Sequence, residues 1–548
     1  MKLPLAQLFI ACFAVAAATA QSNTPAIIPV PQHMTVQEGV FTLWPETKVV
    51  VDSSSKATGK FLAARLHTGT GYPVKVAAGD AAVPGCILLT TKNANPGLGA
   101  EGYELMVAKD SVVIRAPTQA GLFYGAQTLL QLLPPEILAV HPISPRQWTV
   151  PCVSIQDQPR MAWRGLMLDV SRHFFTKSEV EQLLDSMALY KLNTFHFHLV
   201  DDVGWRIEIK KYPRLTEVGA WRSGIGFGLD PKLSKTWRAD GKYGGYYTRA
   251  DIKELVRYAA ARHITIVPEI EMPGHSAGAL APYPQYSCTG GPFNNEGPMA
   301  IFCPGNDETY VFLDNILSEV FEMFPSQFIH IGGDEASTEY WKKCPKCQAR
   351  MKTEGLHNER QLESYLIRRV EKYVNAHGRR LIGWSEIREG GLAQNAAVMD
   401  WIGGATEAAS AGHDVVMSPT GFCYLDHYQS HDHSTEPRGI GGFLSLSQVY
   451  SFEPVPKNLP AEFQSHILGG QGNLWTEYIP SLSHAEYMIF PRECAMAEVL
   501  WSPKESRNWD DFLSRVKVNE RRLDALGVNY RHDPTQTGET TASKLRNE

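Results

Sequence analysis

Residues Phe328 to Thr338 read FIHIGGDEAST, a short apolar strand followed by two glycines and then two acids, Asp334 and Glu335, side by side. Adjacent carboxylates at the end of a buried strand repel each other and resist desolvation, so the pair needs a task that repays the cost. Ordinary glycosidic chemistry uses two carboxyls about 5 to 9 Å apart across a sugar, drawn from different strands. Chain neighbours on a regular strand point to opposite faces and form no such pair. Gly332 and Gly333 allow the backbone to turn, so that both acids reach one rim in different directions. One acid then protonates a leaving group while its neighbour handles a group beside it. That division suits a substrate carrying its own nucleophile, such as a 2-acetamido oxygen, with the second acid orienting the amide N–H and stabilising the charge that develops.

The elements around the pair predict how it is positioned. From Pro29 to about Leu133 short strands and two helical stretches suggest a small α+β domain, and prolines then cluster at 134, 135, 142, 145, 151 and 159. After Pro159 the rhythm becomes strand, helix, strand, helix. The strands GLMLDVS, TFHFHLV, ITIVPEI, FIHIGG, RLIGWSEI, AVMDWI, DVVMSP and ILGGQGNLW are apolar on both faces, as a helix-covered parallel sheet requires. The helix SEVEQLLDSMALYKL is expected to open with a capping box from Ser178 to Glu181 and to bury Val180, Leu183, Leu184 and Met187; TRADIKELVRYAAARH places Ile252, Leu255, Val256 and Ala259 on one stripe. Eight such units predict a (β/α)8 TIM barrel catalytic domain preceded by a small α+β domain, divided as 1–20 leader, 21–155 small domain, 156–530 barrel and 531–548 polar tail. No glycine-rich dinucleotide fingerprint follows the first strand, so a doubly wound nucleotide fold lacks its main support.

In a barrel all strand C-termini meet on one face. Those ends carry Asp169, Arg172 and His173; Asp201 and Asp202; Glu269, Glu271 and His275; His330, Asp334 and Glu335; Trp384 and Glu386; Asp400 and Trp401; Tyr424 and Asp426; and Trp475 and Glu477. Carboxylates together with tryptophans describe a carbohydrate site, in which aromatic faces pack on sugar C–H surfaces and acids bind hydroxyls. The combined rim carries the inference, since a single strand-end Trp is more often core than platform.

Composition narrows the partners. The chain has 548 residues, 43% hydrophobic content and a formal charge of −6 with no long run of either sign, which argues against nucleic acid or an acidic membrane. Lys2, the apolar run from Leu5 to Ala18 and Ala18-Thr19-Ala20 fit a secretory leader, predicting an exported protein, periplasmic or extracellular, without stable membrane insertion after cleavage. Export would permit disulfides. Cys288 and Cys303 flank the loop CTGGPFNNEGPMAIFC, which a bridge would staple; Cys344 and Cys347 read as half a zinc site or a local disulfide, with the disulfide preferred because no second CxxC follows.

The motif HIGGDE resembles the His-x-Gly-Gly-Asp-Glu signature of the retaining β-N-acetylhexosaminidases. WRGLMLDVSRHFF, KLNTFHFHLVDDVGWR, PEIEMPGH and NLWTE look like that family's other blocks in the same order, over nearly all of the mature chain. The resemblance implies an exo-acting, substrate-assisted glycoside hydrolase on an oligosaccharide or glycoconjugate, with no cofactor and no metal. It implies that Glu335 is the general acid/base and Asp334 the acetamide-orienting residue. Arg172 would bind the 3- and 4-hydroxyls, and Glu477 the 4- and 6-hydroxyls. Trp384, Trp401 and Trp475 would wall the pocket, Tyr424 would donate to the acetamido carbonyl, and Asp426 would hold a hydroxyl at the rim. Asp201, His275 and His330 would be supporting groups. Glu271 stands where many members carry Asp, which puts its contact to His275 in doubt. The expected pKa of Glu335 is raised, by burial and by Asp334.

Two other readings compete. His196-x-His198 with Asp201, His275 and His330 has the residue types of a metal-dependent barrel amidohydrolase, but it leaves Arg172 and the tryptophans without a role. A sugar-binding protein on a decayed barrel would have lost its acid, and Glu335 is present. His427, His431 and His433 lie in a Gly/Ser/Pro-rich insertion and read as a substrate-side loop.

Overall fold

The computed structural model describes residues 24–143, 146–223, 236–294, 300–533 and 535. The expected leader lies outside these residues, as does nearly all of the expected tail.

The first domain is a seven-stranded sheet of β1 (His33–Leu43), β2 (Lys48–Val51), β3 (Lys75–Ala78), β4 (Cys86–Thr90), β5 (Tyr103–Val107), β6 (Ser111–Arg115) and β7 (Trp148–Asp157) in the order β1-β7-β5-β6-β4-β2-β3. Helices α1 (Lys56–Thr70) and α2 (Gln119–Leu132) accompany it. Every residue of α2 from Gly121 to Leu132 is buried. A helix apolar all round has to be covered all round. Its Tyr124 ring meets Trp501 of the second domain at 5.3 Å, and Gln131 Nε2 donates to the Leu189 carbonyl at 2.9 Å.

The second domain is a closed barrel of parallel strands: β8 (Trp163–Asp169), β9 (Thr194–His198), β10 (Thr265–Glu269), β11 (Phe328–His330), β12 (Arg380–Trp384), β13 (Ala397–Asp400), β14 (Val415–Met417) and β15 (Ile467–Leu474). Each of the eight apolar segments expected to be strands contributes one. Its longer helices are α3 (Lys177–Leu189), α4 (Arg249–Ala260), α5 (Asp307–Met323), α6 (Pro345–Glu354), α7 (Glu359–Ala376), α8 (Arg492–Trp501) and α9 (Trp509–Leu526). Helix α3 buries Val180, Leu183, Leu184 and Met187, each contributing about 1.5–3 kcal/mol. Its capping box is Thr176 with Glu179, not Ser178 with Glu181: the Thr176 N–H donates to the Glu179 carboxylate at 2.8 Å, so the helix starts two residues earlier than the Ser-x-x-Glu pattern suggests. Helix α4 buries Ile252, Leu255 and Ala259 and leaves Val256 at the edge of its stripe.

Two buried charges between the domains, Asp157 and Arg164, are paired with opposite charges. Asp157 meets Lys191 Nζ at 3.1 Å, the Tyr103 hydroxyl at 2.7 Å and Trp501 Nε1 at 3.0 Å. Arg164 spans both oxygens of Glu101 at 2.7 and 3.0 Å, while its Nε donates to the Lys191 carbonyl at 2.9 Å. The segment Ala26–Val30 is clamped by residues of α8 and α9. Arg515 donates to the Ile27 carbonyl at 2.8 Å and Arg522 to the Ala26 carbonyl at 2.6 Å, and the Val30 N–H donates to Glu498 at 3.0 Å.

The cysteines differ from expectation. No disulfide joins any of the eight in the described residues, so neither a Cys288–Cys303 nor a Cys344–Cys347 bridge is formed. The first turn of α6 brings Cys344 and Cys347 to the ends of the Cys288 to Cys303 loop, and the short contacts cross between the expected pairs.

Candidate active site

At the C-terminal end of the barrel a cavity of 240 Å³ is lined by Arg172, His275, Asp334, Glu335, Trp384, Trp401, Tyr424, Asp426, Trp475 and Glu477. Every residue expected to touch substrate is therefore on one wall or another. Thr420, His427 and Ile440 complete the lining. His427 comes from the histidine-rich insertion, whose other two rings stack elsewhere, His431 on Phe443 and His433 on Tyr428. A larger hollow of 630 Å³ opens at the opposite end of the barrel, beside Trp163, Thr194, Thr265 and Phe328, where strands begin and barrel enzymes do no chemistry.

The strand β11 ends at His330, and Gly332 and Gly333 then adopt φ of 68° and 90°. Gly332 has no room for a side chain: a Cβ there would lie 1.6 Å from Glu271 Oε2. The turn buries Asp334 and leaves the Glu335 side chain half exposed at the cavity mouth. Glu335 and His275 both hold positive φ, 47° and 43°, conformations that cost of order 1–3 kcal/mol in non-glycine residues and cluster at functional sites. The two strained residues face each other. His275 Nε2 lies 3.4 Å from Glu335 Oε2 and 3.5 Å from Asp334 Oδ2, while its Nδ1 is 3.2 Å from Asp202 and 3.5 Å from Asp201.

This arrangement reverses the expected electrostatics of Glu335. Its hydrogen bond to His275 holds its carboxyl below the usual range, and burial opposes this only in part because the group sits at the mouth. Burial raises Asp334 instead. Burial also disfavours the His275 cation, but Asp201 and Asp334 outweigh it and keep the ring protonated. Of the supporting groups, His275 lines the cavity, whereas Asp201, His330 and Glu271 stand outside the lining. Asp201 accepts from Arg172 Nη2 at 2.8 Å, and Asp169 takes Arg172 Nη1 at 3.1 Å. The guanidinium lies 5.0 Å over the Trp475 ring and 3.6 Å from Glu477. His330 Nδ1 lies 2.8 Å from Glu269. Glu271 makes no hydrogen bond to His275; burial and then the Asp334 charge push its carboxyl well up, favouring the protonated acid.

Two carboxylates carry more of the design than the sequence assigned them. Glu269 is met by His196 at 3.0 Å, by His330, by His198 and by Trp384 Nε1 at 2.8 Å, so one acid orients three rings and one wall of the cavity. The HFH alternation followed by a strand ending in glutamate is the trace it leaves in the sequence. Both ring nitrogens of His198 face carboxylates, Glu269 and Asp201, the latter at 3.0 Å. His196 and His198 are thus fully buried below the cavity and do not line it. Glu386 accepts from Trp401 Nε1 at 2.9 Å and fixes that ring, which stacks on Tyr424 at 6.1 Å and 18°.

Among the described residues, three oxygens of the cavity-lining acids find no hydrogen-bond partner: Asp334 Oδ1, Asp426 Oδ1 and Glu477 Oε2. Buried acceptors left unpaired cost free energy, so their partners are expected on a ligand rich in hydroxyl and amide donors. Comparison with known proteins agrees. Residues 161–504 match the model of the glycosyl hydrolase family 20 catalytic domain, and residues 24–158 match that of glycosyl hydrolase family 20, domain 2. The chain belongs to glycosyl hydrolase family 20. A beta-hexosaminidase of Porphyromonas gingivalis is 42% identical over 92% of this chain, which spans 64% of that protein's length. A beta-N-acetylhexosaminidase of Cellulomonas fimi is 32% identical, with 93% of this chain covering 96% of it. Among solved structures, the family 20 beta-N-acetylhexosaminidase of Streptomyces coelicolor superposes with a TM-score of 0.81 at 32% identity, covering 93% of this chain and 98% of that one. A mutant Streptomyces plicatus beta-hexosaminidase in complex with its product GlcNAc gives the same TM-score at 33% identity, with coverages of 93% and 97%. Family 20 membership makes the chain a glycoside hydrolase.

Proposed function

We infer that the chain is an exo-acting β-N-acetylhexosaminidase, releasing a terminal β-linked N-acetylglucosamine or N-acetylgalactosamine with retention. The carrying observation is the unequal environment of the two adjacent acids: Asp334 is buried with Oδ1 unpaired, and Glu335 stands at the mouth. In this reading the acetamido oxygen of the bound sugar attacks the anomeric carbon while Glu335 delivers a proton to the departing glycosidic oxygen. Asp334 accepts from the acetamide N–H and stabilises the oxazolinium cation. Glu335 then takes a proton from the water that opens the ring. Arg172, Asp426 and Glu477 hold the hydroxyls, and Trp384, Trp401, Trp475 and Tyr424 close around the ring, which supports cleavage at a chain end rather than within it. The leader at 1–20 supports export as part of the same reading, and N-terminal sequencing of the mature protein tests it. Chitin-type oligosaccharides are one substrate class with the required terminal sugar.

Hydrolysis of an aryl β-N-acetylglucosaminide beside the matching β-glucoside tests the mechanism. Turnover of the acetamido sugar alone is expected; equal turnover would require a protein nucleophile. The proton held low on Glu335 gives a second test. A sugar seated over the mouth displaces water and favours the neutral acid, so the basic limb of kcat is expected at higher pH than that of kcat/KM. Coincident limbs would contradict this account.

A further inference from the structure

Four cysteine sulfurs converge beside the active-site loop. Cys288 lies 3.7 Å from Cys347, and Cys303 lies 3.7 Å from Cys344 and 3.6 Å from Cys347, with all four within 4.8 Å of one another. We propose that Cys288, Cys303, Cys344 and Cys347 form a structural site for one tetrahedral thiophilic divalent cation, zinc by chemical class, that fastens the loop carrying Glu335.

A zinc ion with Zn–S bonds of about 2.3 Å requires its sulfurs to stand about 3.8 Å apart along each tetrahedral edge, close to the distances observed. The convergence is built. Antiparallel bridging of Ser287 with Phe302 sets Cys288 and Cys303 beside each other at the ends of their loop. Cys344 caps α6 and Cys347 falls in its first turn. Gly305 lets the two turns stack backbone on backbone, since a Cβ there would lie 2.3 Å from the Lys346 carbonyl carbon and 2.4 Å from the Cys347 nitrogen. Ile301, Trp341, Met351 and Leu362 seal the cluster, and Ala336, the chain neighbour of Glu335, packs into the same core.

The rival is a pair of crossed disulfides, Cys288–Cys347 and Cys303–Cys344, which an oxidising compartment would favour. The geometry singles out no such pairing, because Cys303 stands as near to Cys347 as to Cys344. It describes four corners around a centre.

Elemental analysis and intact-mass measurement of the purified full-length protein decide between these. The expected result is about one zinc per chain, four thiols shielded from alkylation until the metal is chelated under denaturing conditions, and thiolate-to-metal charge-transfer bands after cobalt exchange. Cys303→Ser and Cys347→Ser should each lower bound metal at least about tenfold, and Cys86→Ser should leave it unchanged. Metal-free protein lighter by the hydrogens of two disulfides, or metal-free protein whose four thiols alkylate freely, would overturn the proposal. Both readings come from the unmodified chain, so a serine variant that fails to fold leaves the test intact.

Discussion

The domain seam and the sugar cavity bury charges under opposite rules. At the seam Asp157 has Lys191, Tyr103 and Trp501 as partners, and Arg164 meets both oxygens of Glu101. In the cavity Asp334, Asp426 and Glu477 each keep one unpaired oxygen. Paired burial fixes a structure; unpaired burial facing a cavity keeps free energy in reserve for a ligand. Alterations in the two regions should therefore separate stability from activity.

The largest effect is expected from Glu335→Gln, which should lower kcat about 10²- to 10⁴-fold while the unfolding midpoint stays near that of the parent. A comparable loss of stability would place Glu335 with the seam. The converse case is Lys191→Met, which strands Asp157 without its cation. It should destabilise by about 3–5 kcal/mol in urea titration while folded molecules keep their turnover, and adding Asp157→Asn should recover part of the loss. Asp426→Asn sharpens the contrast: removing a carboxyl that burial pushes well up should leave stability unchanged or slightly higher, yet weaken binding of the terminal sugar by about 1.5–3 kcal/mol in calorimetry. The last contrast concerns pH. Burial pushes Glu386 up to about 7 from 4.5, so the folded form retains a proton that the unfolded chain releases. Stability should therefore fall as pH rises from about 4.5 toward 7, and Glu386→Gln should flatten that part of the curve, as urea midpoints at the two ends of the range would show.

The barrel was legible because its strands are apolar on both faces, a pattern that short segments such as FIHIGG and DVVMSP retain. The rim was legible because strand ends inherit a shared position from the fold. What the sequence concealed depends on approach between distant segments. The direction of the Glu335 shift turned on a histidine sixty residues away whose backbone is strained toward it. The cysteine cluster draws on two loops, and spacing along either one suggests only a local bridge. Ser178 and Glu181 have the residue types of a capping box, but Thr176 and Glu179 have them too, and packing of α3 chose between them.

The clamp on Ala26–Val30 bears on the order of folding. Its partners, Glu498, Arg515 and Arg522, emerge from the ribosome nearly five hundred residues after the segment they hold. The small domain's α2 is likewise covered by barrel surface that does not yet exist when the helix emerges. Contacts of such span close slowly, so a growing chain carries part of α2 uncovered until Trp501 of α8 arrives. The same clamp makes the docking of α9 one of the steps that join the two domains.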